Sequence, residues 1–110
     1  MKVSFEGIGE TITTFYSGGG CKDAPVKLTQ NGTVAPCANG ETFIGVGIFD
    51  DTDYSAVRIA GFTTMPYSGT APALGFVKLV ADGNGGVKTG SSGESYLVLE
   101  TGSGSVGFML

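Results

Sequence analysis

The chain has 110 residues, 20 of them Gly and 4 Pro, and its longest glycine-free run, Ile48 to Ala60, spans 13 residues. An interior Gly costs a helix roughly 1 kcal/mol and an average helix needs about 11–12 residues, so a helical bundle is excluded. The net charge is −4 and the six basic residues are scattered; a phosphate backbone or an anionic membrane wants clustered positive charge, so neither nucleic acid nor membrane is an expected partner.

Met1 to Gly7 carries one base and no apolar stretch, unlike a signal peptide, so synthesis and residence in the cytoplasm are the default. Ile8 to Tyr16 is rich in β-branched and aromatic residues and reads as a strand. Gly18-Gly19-Gly20 ends it. Val26-Lys27-Leu28-Thr29 alternates apolar and polar, as a half-buried strand does. Asn31-Gly32 is a hairpin signal, since both residues tolerate positive φ, and Thr33-Val34-Ala35 returns before Pro36. Thr42 to Phe49 is a continuous apolar run read as one buried strand, with Gly45 and Gly47 marking a bend or a close backbone approach. Asp50-Asp51-Thr52-Asp53 is a polar turn. Tyr54 to Thr64 reads as one strand with Val57, Ile59 and Gly61 on one face, and Pro66 to Pro72 as a loop. Phe76 to Val80, Val87 to Thr89, Tyr96 to Leu99 and Val106 to Leu110 complete the set, with turns at Asp82 to Gly86 and Ser91 to Gly93. The last run is too apolar to dangle and is expected inside a sheet. Eight or nine short strands with turns every 8–12 residues predict an all-β domain, a small β-barrel or β-sandwich with little or no helix.

The chain also matches itself. Val26-Lys27-Leu28 aligns with Val77-Lys78-Leu79, Gly40-Glu41-Thr42-Phe43 with Gly93-Glu94-Ser95-Tyr96, and Val57-Arg58-Ile59 with Val106-Gly107-Phe108. These matches define one all-β domain over 1–110, made of an N-terminal arm or strand (1–20) and two pseudo-repeated hairpin units (21–64 and 74–110). Two units are too few for a solenoid, so one closed or nearly closed sheet with pseudo-two-fold halves is expected.

Chemistry is sparse. With no His, Ser-His-Asp and Cys-His arrangements cannot be built and the commonest metal ligand is missing. Cys21 and Cys37 either pair or stand as two unpaired small residues. The carboxylates of Asp50, Asp51 and Asp53 would suit a hard cation but lack EF-hand spacing, and read as a solvated turn. The Gly-x-Gly pairs at Gly7 and Gly45 precede no helix and read as turn chemistry. No catalytic, cofactor-binding or metal-binding residue is therefore assigned, and an enzyme is not expected. Phe43, Phe49, Phe62, Phe76, Tyr96 and Phe108 are assigned to the core; Tyr16, Tyr54 and Tyr67 are expected part-exposed, with a polar tip available to an interface.

The motifs Ala24-Pro25-Val26-Lys27-Leu28, Asn31-Gly32-Thr33-Val34, Phe43-Ile44-Gly45-Val46-Gly47-Ile48 and Tyr54-Ser55-Ala56-Val57-Arg58-Ile59-Ala60-Gly61, followed by the repeated theme from Leu74 to Leu110, resemble small tailed-phage and prophage head-decoration proteins over residues 20–110. The resemblance implies a barrel or sandwich on the outer surface of an assembled capsid, a homotrimer clamping neighbouring subunits of the major capsid protein. It implies a virion protein made in the host cytoplasm, with no cofactor and no catalytic residues to carry over. The cysteines lie outside the family pattern. Residues 1–20, which could add a strand to a neighbour, and the loop Pro66 to Leu74 are the expected contact surfaces. The alternative is a non-catalytic β-sandwich binding module for a surface protein or a carbohydrate, which would need exposed aromatics over a polar groove.

Overall fold

The structure is a computed structural model that describes residues 9–110; the first residues of the N-terminal arm, including Ile8, lie outside the described part. Among the described residues there is no helix. A first group of strands comprises β1 (Thr11–Ser17), β2 (Pro25–Gln30), β3 (Thr33–Pro36), β4 (Gly45–Asp50) and β5 (Tyr54–Ala60). A second comprises β6 (Phe62–Pro66), β7 (Gly75–Ala81), β8 (Val87–Thr89), β9 (Glu94–Thr101) and β10 (Ser105–Met109). The first group closes into a barrel in the order β1-β3-β2-β4-β5, and the second forms a sheet in the order β6-β10-β9-β7-β8. The chain is thus a small all-β fold with one closed barrel, and its apolar C-terminal run is held between β6 and β9.

The two groups share one plan. Each starts with a strand that pairs with the last strand of its own group, followed by a hairpin and two further antiparallel strands. The match extends to register. Pro25 faces Val46 and Val46 faces Arg58 in the barrel; Phe76 faces Leu97 and Leu97 faces Met109 in the second sheet, each 51 positions on. The bulges coincide as well, after Gly47 and after Val98. The sequence alignment around Gly40 and around Val57 is therefore two residues out of step with the fold. A two-residue slip keeps every side chain on its own face, so the apolar pattern does not betray it. β1 and β6 are also equivalent: Ile12 faces Arg58 as Phe62 faces Met109. β1 ends in a Tyr-Ser pair and β6 is followed by one, each at a parallel contact, Tyr16 with Thr33 and Tyr67 with Val87.

Two strand assignments need correction, and the Asn31-Gly32 hairpin forms as expected. Tyr54 to Thr64 is two strands, because Gly61 turns the backbone (φ 109°) and hands the chain from barrel to second sheet. A side chain at such a φ is strained; the split gives ten strands. The buried strand begins at Gly45, since Thr42, Phe43 and Ile44 form a connector that carries Phe43 into the second sheet's core. In the β2–β3 turn only Gly32 takes positive φ (67°), while a bulge between Leu28 and Gln30 accommodates the twist.

The cores differ in what fills them. The barrel interior holds Cys21, Val26, Val34 and Val57, with Phe15 and Ile59 against them. Main chain packs there too: a Cβ on Gly47 would lie 1.8 Å from the Cys21 carbonyl oxygen, so residues 21–24 lie against Gly47 where only Gly leaves room. At the equivalent position the second sheet has Val98, which joins Met65, Leu79, Val87, Val106 and Phe108. Phe43 and Val46 of the first group complete that second core. Phe43 stacks on Tyr96 (centroids 5.0 Å, planes 5° apart) and meets Phe108 edge-on. The barrel's outer wall thus lies on the second sheet's inner face. Cys21 and Cys37 are both free thiols, one inside the barrel and the other packed on the second core.

Candidate functional site

Four of the six aromatics assigned to the core depart from full burial. Phe43 and Phe108 are buried, and Phe62 and Tyr96 are half-buried. Phe49 and Phe76 are 59% and 78% exposed. Residue type alone does not decide facing. The bulge after Gly47 turns Phe49 out beside Ala56, and Phe76 alternates with Val77, which points in. Together with the tyrosines these residues build two surface features.

The first lies on the barrel, across β1, β5 and β4. Tyr16 and Tyr54 are directly paired across strands, with rings 4.9 Å apart and tilted by 31°. Phe49, Thr14, Ala56 and Asp51 line a shallow recess with Tyr54, about 310 Å³ in volume. The Tyr16 hydroxyl beside it raises the Tyr54 phenol above its ordinary value, and the Asp53 charge adds to this. Both tyrosines are exposed, as expected; Tyr67 is half-buried, its hydroxyl donating to the Gly102 carbonyl.

The second feature lies on the outer face of the second sheet. Leu74, 68% exposed, sits at the end of the Pro66 to Leu74 loop. It lines, with Pro72, Leu99 and Thr101, an open groove of about 820 Å³. Thr101 donates its hydroxyl to the Pro72 carbonyl, 2.8 Å away, and anchors the loop. The other expected contact segment, residues 1–20, places Thr11–Ser17 in the barrel wall, where β1 already pairs along β5. Its Tyr16 and Ser17 also pair with β3.

The carboxylates of the 50–53 turn do not converge. Asp50 accepts from the Ser55 hydroxyl and from the main-chain N–H groups of Cys21 and Lys22, and the Ser55 bond leads in holding its carboxyl below the ordinary range. Ser17 hydrogen-bonds Ser55 in the same network. In the second sheet Ser68, the counterpart of Ser17, donates directly to a carboxylate, that of Asp82. Burial works to raise Asp82, but Ser68 and the N–H groups of Asn84 and Gly86 outweigh it, so the carboxyl titrates low. Asp50 anchors residues 21 and 22 to the end of β4, and Asp82 anchors its own 82–86 turn and Ser68. The paired Tyr-Ser dipeptides, 16–17 and 67–68, were a sequence signal for this duplication. Among the described residues no three of Cys, Asp and Glu gather as a metal site would require. The Cys37 thiol is pushed up to about 11, chiefly by burial and then by the Glu41 charge, against the opposing pull of Lys27, which disfavours the nucleophilic thiolate.

Comparison with protein-family models gives no match, and comparison with curated proteins gives none either. What fold and surface define is a class: a small all-β protein of two fused, like-built units with large apolar side chains on two separate outer faces.

Proposed function

We propose that the chain is a non-catalytic virion component that binds and stabilises the assembled capsid of a tailed phage or prophage, acting as a homo-oligomer against the major capsid protein. The observation that carries this reading is the pair of exposed apolar faces on one preorganised scaffold: Phe49 with Tyr16 and Tyr54 on the barrel, Leu74 with Phe76 on the second sheet. Apolar side chains scattered singly need no explanation, whereas grouped ones mark interaction surfaces. Two faces let one chain hold a lattice and its own copies together. A partner that binds the assembled lattice and not free subunits stabilises it by mass action. A rigid β scaffold lowers the ordering cost of binding, and several copies raise avidity through effective concentration.

The test is cosedimentation with heads assembled from the major capsid protein of the phage or prophage that encodes this chain, before and after expansion. Saturable binding to expanded heads is expected; no binding to either form overturns the reading. A second reading, a carbohydrate-binding module, is favoured by the Tyr16–Tyr54 pair beside Asp51, exposed aromatics next to polar groups that could bond sugar hydroxyls. It predicts glycan binding that Tyr54→Ala abolishes, with no affinity for heads.

A further inference from the structure

Phe62, Met109, Leu97 and Phe76 form one row. Each faces the next across β6, β10, β9 and β7, so all four side chains leave the same side of the sheet. That side is the outer one, because their neighbours Thr63, Phe108, Val98 and Val77 point into the core.

The equivalent row in the barrel is Ile12, Arg58, Val46 and Pro25. There the row is covered at Val46 and Pro25, while Ile12 at its other end is 48% exposed. Pro25 is buried, and Val46 is 5% exposed in the same cluster as Met65, Val106 and Phe108 of the second sheet. Arg58 is tied to Glu10 at 2.7 Å. The second sheet's own row lies open at Phe76, with Leu74 and its groove beside it. The position of Val46 is therefore covered by the second unit, while its equivalent Leu97 is only half-buried and stands next to the exposed Phe76.

We propose that a second copy of this chain covers the row, so that the outer face of the second sheet is a self-association surface built around Phe76, Leu97 and Leu74. The contact within the chain shows that such a row takes apolar cover, since Met65, Val106 and Phe108 pack on Val46; a second copy, whose inner face is already filled, brings its own outer row. Charge allows it too. The chain carries −4, yet Lys78 lies two residues from Phe76 on one side of the row. Glu100, paired with Gly107 next to Met109, lies on the other side. One charge of each sign rims an apolar centre, which is the pattern of a specific interface. Symmetric closure of the assembly would leave no apolar row open for continued growth.

This deepens the oligomeric part of the reading above and does not rest on the capsid. An oligomer that ignores heads would keep this surface while the capsid reading fell. The experiment is light scattering on the full chain after size exclusion, at about 100 μM, beside Phe76→Lys, Leu74→Ser and Phe49→Ser. The wild type and Phe49→Ser are expected at two or three times 11.1 kDa. Phe76→Lys is expected to fall to the monomer mass, and Leu74→Ser to need a several-fold higher concentration for half-assembly. Phe76 and Leu74 are so exposed that an unchanged circular dichroism spectrum is expected for both variants. A monomeric wild type overturns the proposal, and so does a Phe76→Lys variant that keeps the wild-type mass.

Discussion

Gly47→Ala is the substitution with the sharpest predicted consequence. The new Cβ would sit 1.8 Å from the Cys21 oxygen and 2.4 Å from its carbonyl carbon. Both are main-chain atoms, so no rotamer relieves the clash. Residues 21–24 would have to move away from Gly47. That breaks the bond from the Asp23 N–H to the Gly47 oxygen (2.8 Å) and the bond from the Gly47 N–H to the Ala24 oxygen (2.9 Å). At about 1 kcal/mol net for each hydrogen bond and about 1–3 kcal/mol for overpacking, the loss is about 3–5 kcal/mol. A domain this small holds about 5–15 kcal/mol in all, and about 4 °C of melting temperature goes with each kcal/mol. Gly47→Ala should therefore melt about 12–20 °C early, or not fold. Gly18→Ala, where a Cβ meets nothing within 4 Å, is the control and should stay within about 0.5 kcal/mol of wild type or gain slightly. Urea and thermal unfolding followed by circular dichroism measure both. A Gly47→Ala protein as stable as the control would refute the close packing of residues 21–24 on Gly47.

Other outcomes follow from the same geometry. Gly61→Ala puts a side chain at φ 109° and within 3.0 Å of Glu10 Cα, and should lower stability by about 1–3 kcal/mol in urea titration. Asp82 titrates lower folded than unfolded. Its contribution is thus complete above the ordinary carboxylate value and is lost as pH falls below it. Urea midpoints between pH 6 and 3 should fall less steeply for Asp82→Asn than for wild type. At pH 8 a thiol with a pKa of about 11 is roughly 0.1% thiolate, against about a quarter for an unperturbed one. Greater intrinsic nucleophilicity offsets roughly tenfold of that, so native Cys37 should react with iodoacetamide on the order of twentyfold more slowly than free cysteine. Unfolding in urea should restore the ordinary rate.

The fold class was legible because glycines and alternation act locally. Asn31-Gly32 marks its hairpin, Gly47 its close approach, and the run ending at Leu110 its place inside a sheet. What escaped was set by distance. Gly61 looks like any strand glycine until one sees that Ala60 and Phe62 belong to different sheets. The duplication was visible, yet its register was two residues off around Gly40 and Val57, because period-2 patterns look alike after such a slip. Phe49 and Phe76 read as core because an aromatic carries no mark of which face it leaves; a bulge decides one and strand phase the other. The outer faces were unreadable for the same reason. The row from Phe62 to Phe76 comes from four strands, and no stretch of sequence contains more than one of its members.

The most direct measurement of the functional account is the melting of expanded heads titrated with this chain. If the chain holds assembled capsid subunits and not free ones, the head transition should rise with the logarithm of free chain concentration once sites are filled, while isolated capsid subunits are unaffected. Heads that melt at one temperature with and without the chain, across the whole titration, would contradict it.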